Sequence, residues 1–148
     1  MANRPLRVLF TEDDDEEWFL ITDLIRECPF GVHMDLDRVK DGQQLLDRLR
    51  DRRVAHPDLV LLDIKMPRKD GLETLKDIRG DEELKAIPVI ILTTSDAESD
   101  ILRSFKAGAN SYVVKPAAGV GDLLNALRYY WTKVSRIPQP REAKEFPS

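Results

Sequence analysis

Two spacings of apolar residues alternate along this chain. Short, nearly unbroken runs fall at Leu6–Thr11, Asp58–Leu62, Val89–Leu92 and Ser111–Val114. Such runs predict strands buried on both faces of a sheet. Between them, apolar residues return every three or four positions. Trp18, Ile21, Leu24, Ile25 and Cys28 mark a helix over 15–28 that Pro29 stops. Leu45, Leu46 and Leu49 follow Gly42, and Leu72, Leu75 and Ile78 follow the Asp70-Gly71 turn. Ile101, Leu102 and Phe105 form the next stripe, which ends at Ala107-Gly108, a helix C-terminal signal. Val32–Leu36 alternates with period two and predicts a half-buried edge strand. A last helix is predicted over Leu123–Val134. From Ile137 onward Pro138, Pro140 and Pro147 stand among charges, so that stretch is expected to be extended. The chain thus divides into a folded domain over 1–136 and a tail over 137–148. Five successive βα units predict an α/β protein with a parallel sheet, right-handed crossovers and helices on both faces.

Sheets of this kind bind ligands beyond the C-terminal ends of their strands, and the unusual polar residues fall there. Glu12 and Asp13 follow the first run, Asp63 the third, Thr93-Thr94-Ser95 the fourth and Lys115-Pro116 the fifth. Carboxylates gathered this closely repel one another and call for a divalent cation. A hard ion such as Mg²⁺ takes a few oxygen ligands and keeps waters. A lone carboxylate can attack phosphorus once metal and ammonium neutralise the incoming oxygens. A hydroxyl and a lysine opposite it then hold the transferred group.

Each residue also has a plainer reading. Asp14 to Glu17 suit N-terminal capping of a helix. Thr93 to Ser95 suit capping of the next one, Lys115 a solvated strand end, Tyr112 an ordinary half-buried aromatic, and His33 and His56 the surface. The coincidence at four strand ends is what favours a site.

Composition narrows the choice. The 148 residues are 42% hydrophobic and 34% charged, as in a soluble globular domain, with a net charge of −4 and pI near 5.3. That balance offers no footprint for nucleic acid. Cys28 is the sole cysteine and His33 and His56 the only histidines, which excludes an internal disulfide and disfavours multi-histidine metal sites. No apolar stretch approaches the ~18 residues needed to cross a bilayer. The start, Met1-Ala2-Asn3-Arg4-Pro5, leads directly into charged sequence, and a cytoplasmic location without a cleaved leader is expected.

Glu12-Asp13, Asp63 within Leu61-Leu62-Asp63-Ile64-Lys65-Met66-Pro67-Arg68-Lys69-Asp70-Gly71, Thr93 and Lys115-Pro116 together resemble the receiver domain of bacterial two-component response regulators. The resemblance spans roughly residues 6–134. It implies a flavodoxin-like fold with strand order 2-1-3-4-5. It makes Asp63 the phosphoacceptor. It has Asp13 ligating Mg²⁺ directly, Glu12 helping through water and the Lys65 carbonyl adding a ligand. Thr93 and Lys115 would each hold a phosphoryl oxygen, and Tyr112 would be the switch aromatic that turns inward when Thr93 moves. The Lys65 side chain departs from the neutral residue often found there and bears on the lifetime of the phosphorylated state. Leu92-Thr93-Thr94-Ser95, the Asp-Gly loop and Tyr129-Tyr130-Trp131 before Ile137-Pro138 resemble the small regulators that partner bacterial phytochromes.

The implied partner is a sensor histidine kinase, with a phosphorelay histidine protein as an onward acceptor. Consecutive aromatics cannot all face one core, so Tyr129, Tyr130 and Trp131 predict a homodimer through the C-terminal segment. Two other functions compete: an aspartate-based phosphohydrolase, disfavoured because Lys65 stands where such enzymes place a second acid, and a receiver-shaped binding module that never carries phosphate.

Overall fold

The computed structural model describes residues 5–27, 34–66, 68–115 and 141–143. Along the chain run β1 (Leu6–Thr11), α1 (Asp15–Glu27), β2 (Met34–Val39), α2 (Gly42–Arg50), β3 (Leu59–Leu62), α3 (Gly71–Gly80), β4 (Val89–Thr93), α4 (Glu98–Ala107) and β5 (Ser111–Val114). The strands form one parallel sheet in the order β2-β1-β3-β4-β5. This is the flavodoxin-like arrangement, with the strand order reversing beside β1 and β3.

The unbroken apolar runs take the interior of the sheet, as both of their faces must be covered. Alternate residues feed two cores. Leu9, Val60, Leu62 and Ile91 pack with Leu45, Leu46 and Leu49 of α2 and Leu75 and Ile78 of α3. On the other face Val8, Phe10, Leu61 and Ile90 pack with Ile21, and Trp18 of α1 lies against them. Each fully buried aliphatic side chain contributes about 1.5–3 kcal/mol of transfer free energy.

Helix starts follow local chemistry. Asp41 accepts from Gln44 N and caps α2, and Asp70 accepts from Leu72 N and Glu73 N and caps α3. Asp14 accepts from Glu17 N at 3.0 Å ahead of α1, as capping predicts. α4 differs: its N-cap is Ala97, with no side-chain cap hydrogen bond. α4 ends at Gly108, whose φ of 107° is the left-handed conformation expected of a helix-terminating glycine.

Three expectations need correction. The Ile101, Leu102 and Phe105 stripe is not the buried face of α4, since Leu102 is 56% and Phe105 49% exposed. The buried residues of α4 are Ser104 and Ala107, small enough to bring the helix close to the sheet. His56 is not a surface residue: it is 4% exposed, and its Nε2 lies 2.9 Å from the Leu49 carbonyl. The edge strand set over 32–36 runs from Met34 to Val39, paired along all of β1, with Asp35 and Asp37 exposed and Met34 and Val39 buried. Val32, His33, Cys28 and Pro29 lie outside the described residues. So do the helix expected over 123–134, Tyr129, Tyr130, Trp131 and Pro116. Among the described residues no helix is long and apolar enough to cross a membrane.

Candidate site at the C-terminal edge of the sheet

β1 delivers Thr11, Glu12 and Asp13 to one edge. Glu12 N donates to Val39 O at 2.9 Å, which extends the β1–β2 ladder into the acidic loop. Its Oε2 accepts from Asp14 N at 3.2 Å. Asp13 is exposed. β3 delivers Asp63, and two contacts aim its carboxylate: Oδ1 accepts from Lys65 N at 3.1 Å and Oδ2 lies 3.6 Å from Lys115 Nζ.

The β4–β5 ladder brings in the rest. Thr93 is buried, and its carbonyl accepts from Lys115 N at 2.7 Å, one residue past the end of β5. That bond sets Lys115 across from Asp63. The Lys115 ammonium is shared among three carboxylates, with Glu12 at 3.4 Å, Asp63 at 3.6 Å and Glu17 at 3.8 Å. Its side chain is 15% exposed, so the reading as a solvated strand end fails.

Burial raises the pKa of Glu12, and Lys115 and the Asp14 N–H only partly offset it. For Lys115, burial disfavours the cation, but Glu12, Asp63 and Glu17 outweigh it and the pKa is raised. The edge therefore carries more negative charge than one ammonium balances. Its donors are all carboxylate or carbonyl oxygens, which suit a hard divalent ion. Among the described residues no three acidic, histidine or cysteine side chains already converge as a ready-made metal cage. Lys115 lies among the acids instead.

Tyr112 sits half-buried against the α2–α3 core, and its hydroxyl donates to Ser95 O at 2.8 Å. Burial raises its pKa. The contact ties β5 to the turn before α4.

Sequence reading missed two residues of the site. Thr11 Oγ1 donates to Leu61 O at 3.3 Å and accepts from Asp63 N at 3.1 Å, clamping the end of β3 to β1. A threonine ending an apolar strand beside two acids was the available signal. Arg38 is the next-to-last residue of β2, and its Nη1 donates to Glu12 O at 3.3 Å while Nη2 pairs with Asp15. Its guanidinium lies 5.7 Å from the centroid of the Trp18 ring, a cation–π contact that fixes the acidic loop from outside. No sequence pattern marks it. On the far side of Asp63, Gly71 N donates to Ile64 O at 3.0 Å. A Cβ at Gly71 would lie 2.1 Å from the Asp63 carbonyl oxygen, so only glycine fits.

Comparison with known proteins agrees with this geometry. Residues 8–128 match the response regulator receiver domain. The probable methanogenesis regulatory protein FilR2 of Methanothrix harundinacea is 33% identical over 144 residues, covering 94% of this chain and 92% of its own. The crystal structure of the phosphorylated cyanobacterial phytochrome response regulator RcpA superposes with a TM-score of 0.81 at 30% identity, covering 91% of this chain and 99% of that one. The response regulator Rcp1, which Synechocystis has, is 28% identical over 144 residues, covering 93% of this chain and 96% of its own. The Mn²⁺-bound crystal form of Rcp1 gives a TM-score of 0.78 at 27% identity, covering 91% of this chain and 100% of that one. With its strand order, its edge of acids, threonine and lysine, and a match over most of its length, the chain belongs to the response regulator receiver domain family.

Proposed function

We propose that this receiver takes a phosphoryl group from a phosphohistidine of a sensor kinase onto Asp63. The observation that carries the reading is the carboxylate of Asp63, held by the Lys65 amide on one oxygen and facing Lys115 with the other. Oδ2 attacks phosphorus, the P–N bond breaks, and the histidine nitrogen leaves with the electron pair. Lys115 stays protonated across the neutral range, since its pKa is raised, and pairs with the charge that arrives. Thr93 moves to a phosphoryl oxygen, and Tyr112 leaves Ser95 to occupy the space.

A bound Mg²⁺ would be held by Asp13 and Asp63 directly, by Glu12 through water and by the Lys65 carbonyl, and would supply charge neutralisation at the phosphoryl oxygens. The similarity to the phytochrome regulator RcpA supports a phytochrome as the kinase. Leu102 and Phe105 on α4 and Val114 on β5, all exposed, support a contact surface through which two chains would pair, with Tyr129, Tyr130 and Trp131 of the C-terminal segment expected to contribute.

Intact mass after incubation with acetyl phosphate and Mg²⁺ tests the central step. The wild type is expected to gain one phosphoryl mass and Asp63→Asn none. A variant that still labels would place the acceptor elsewhere.

A further inference from the structure

Arg141 and Glu142, late in the chain, lie in a seat at the end of the sheet opposite Asp63. Arg141 Nη2 donates to Leu49 O at 3.1 Å, Asp51 O at 3.1 Å and Val54 O at 3.5 Å. Its Nη1 lies 3.4 Å from Glu83. The Arg141 carbonyl accepts from His56 N at 2.7 Å. Glu142 pairs with Arg7 at 3.1 Å. We propose that this seat, at the end of α2 and the turn before β3, is a binding site for an extended arginine-acid segment, filled in cis by Arg141–Glu142.

The chemistry of the seat selects that ligand. Leu49 O belongs to the last turn of α2, where carbonyls have no partner within the helix and the dipole is negative. The turn that follows adds the carbonyls of Asp51 and Val54. Three carbonyls beside one carboxylate form an all-acceptor surface that suits a planar guanidinium. The fork divides the task, Nη2 on the carbonyls and Nη1 on Glu83, where an ammonium would have to serve both from one nitrogen. His56 completes the floor, its ring bonded to the same Leu49 carbonyl and its amide to the ligand backbone. Arg7 supplies the second point of recognition, which the acid after the arginine meets.

The seat also has the marks of an exchangeable contact. Among the described residues Arg141 Nε and Arg7 Nη1 are buried without hydrogen-bond partners, so the pairing is incomplete. A cleft of about 250 Å³ bordered by Arg7, Leu36, Arg48, Val54 and Pro57 adjoins it. The site shares no residue with the acidic edge.

The test uses a fluorescein-labelled peptide of residues 137–148, titrated by anisotropy into two full-length proteins. One is the wild type and the other carries Arg141→Ala with Glu142→Gln. The double variant is expected to bind the peptide at least tenfold more tightly than the wild type, whose tail competes. A peptide with lysine in place of the arginine is expected to bind at least tenfold more weakly. Equal binding to both proteins, no binding to a variant of unchanged circular dichroism, or equal binding of the lysine peptide would each overturn the site. A wild-type dimer that the double variant dissociates would assign the seat to a second copy's tail and overturn the cis placement. Hydrogen exchange on the wild type gives an independent reading: the His56 amide is expected to be protected, and free exchange there refutes the contact whether or not the variant folds.

Discussion

Replacing Thr11 by valine removes one hydroxyl and leaves the shape of the side chain almost unchanged. That hydroxyl is buried and has two roles, as donor to Leu61 O and as acceptor from Asp63 N. Leaving a buried amide without an acceptor costs roughly 1–3 kcal/mol. The added methyl returns about 0.8 kcal/mol of burial. The net expectation is a loss of roughly 0.2–2 kcal/mol, which lowers the folded-to-unfolded ratio by up to about 30-fold and the melting midpoint by about 2–4 °C per kcal/mol. Urea denaturation followed by Trp fluorescence measures the first quantity. Labelling by acetyl phosphate with Mg²⁺, followed by intact mass, measures a second: with the end of β3 unclamped, phosphorylation of Asp63 is expected to slow. Thr11→Ser separates the two effects, because serine loses apolar contact but keeps both hydrogen bonds. It is expected to lose stability and still label at the wild-type rate. A Thr11→Val protein as stable as the wild type and labelling as fast would refute the argument.

Asp13→Ala is expected to weaken Mg²⁺ binding and nearly abolish labelling of Asp63; Trp18, next to the loop through Arg38, gives a fluorescence titration in which an unchanged midpoint would count against the assignment. Arg79 fastens the α3 end to later chain by donating to Gly108 O at 2.8 Å, Ile87 O at 2.8 Å, Lys85 O at 3.1 Å and Asn110 Oδ1 at 2.8 Å. Arg79→Met should cost roughly 2–4 kcal/mol in urea denaturation, as expected for stranding several acceptors. Burial, chiefly, and the nearby Arg141 hold the His56 pKa below its ordinary 6.5, with Leu49, Glu83 and Asp81 opposing. The unfolded chain therefore binds the proton first, so the stability contributed by neutral His56 is complete above about pH 6.5 and falls as pH drops toward the lowered folded value. His56→Gln should flatten that part of a stability–pH curve, and an unaltered slope would contradict it.

Periodicity made the interior strands and the helices legible, because an unbroken Val89–Leu92 or a Leu45, Leu46, Leu49 stripe has few other places to go. It misled on α4. There the helix approaches the sheet through Ser104 and Ala107, and the larger apolar residues are left on the outer side. The acids, threonine and lysine were legible because each ends a strand. Thr11, Arg38, Arg79 and Arg141 were not, since each acts largely on backbone groups distant in sequence. A carbonyl is present at every residue, so nothing in the partner's identity reveals the pairing. His56 misled for the same reason: its burial rests on the Leu49 carbonyl and on tail residues far along the chain.

The backbone at Asp63 is braced unevenly. On one flank Thr11 ties it to β1, and on another Gly71 abuts its carbonyl with no room for so much as a methyl. Toward α4 the bracing is of another kind: Ser95 Oγ donates to Asp100 at 2.6 Å and accepts from Ala97 N at 3.3 Å, Tyr112 donates to Ser95 O, and the helix begins at Ala97 without a side-chain cap of its own. Bulk and charge added at Asp63 would meet backbone on the β1 and α3 sides and, on the third, side-chain hydrogen bonds that can exchange partners. The direction of the response is thus set by which contacts can be traded, and an added cap at the start of α4, by substituting aspartate for Ala97 for instance, would blunt the motion while leaving the chemistry at Asp63 intact.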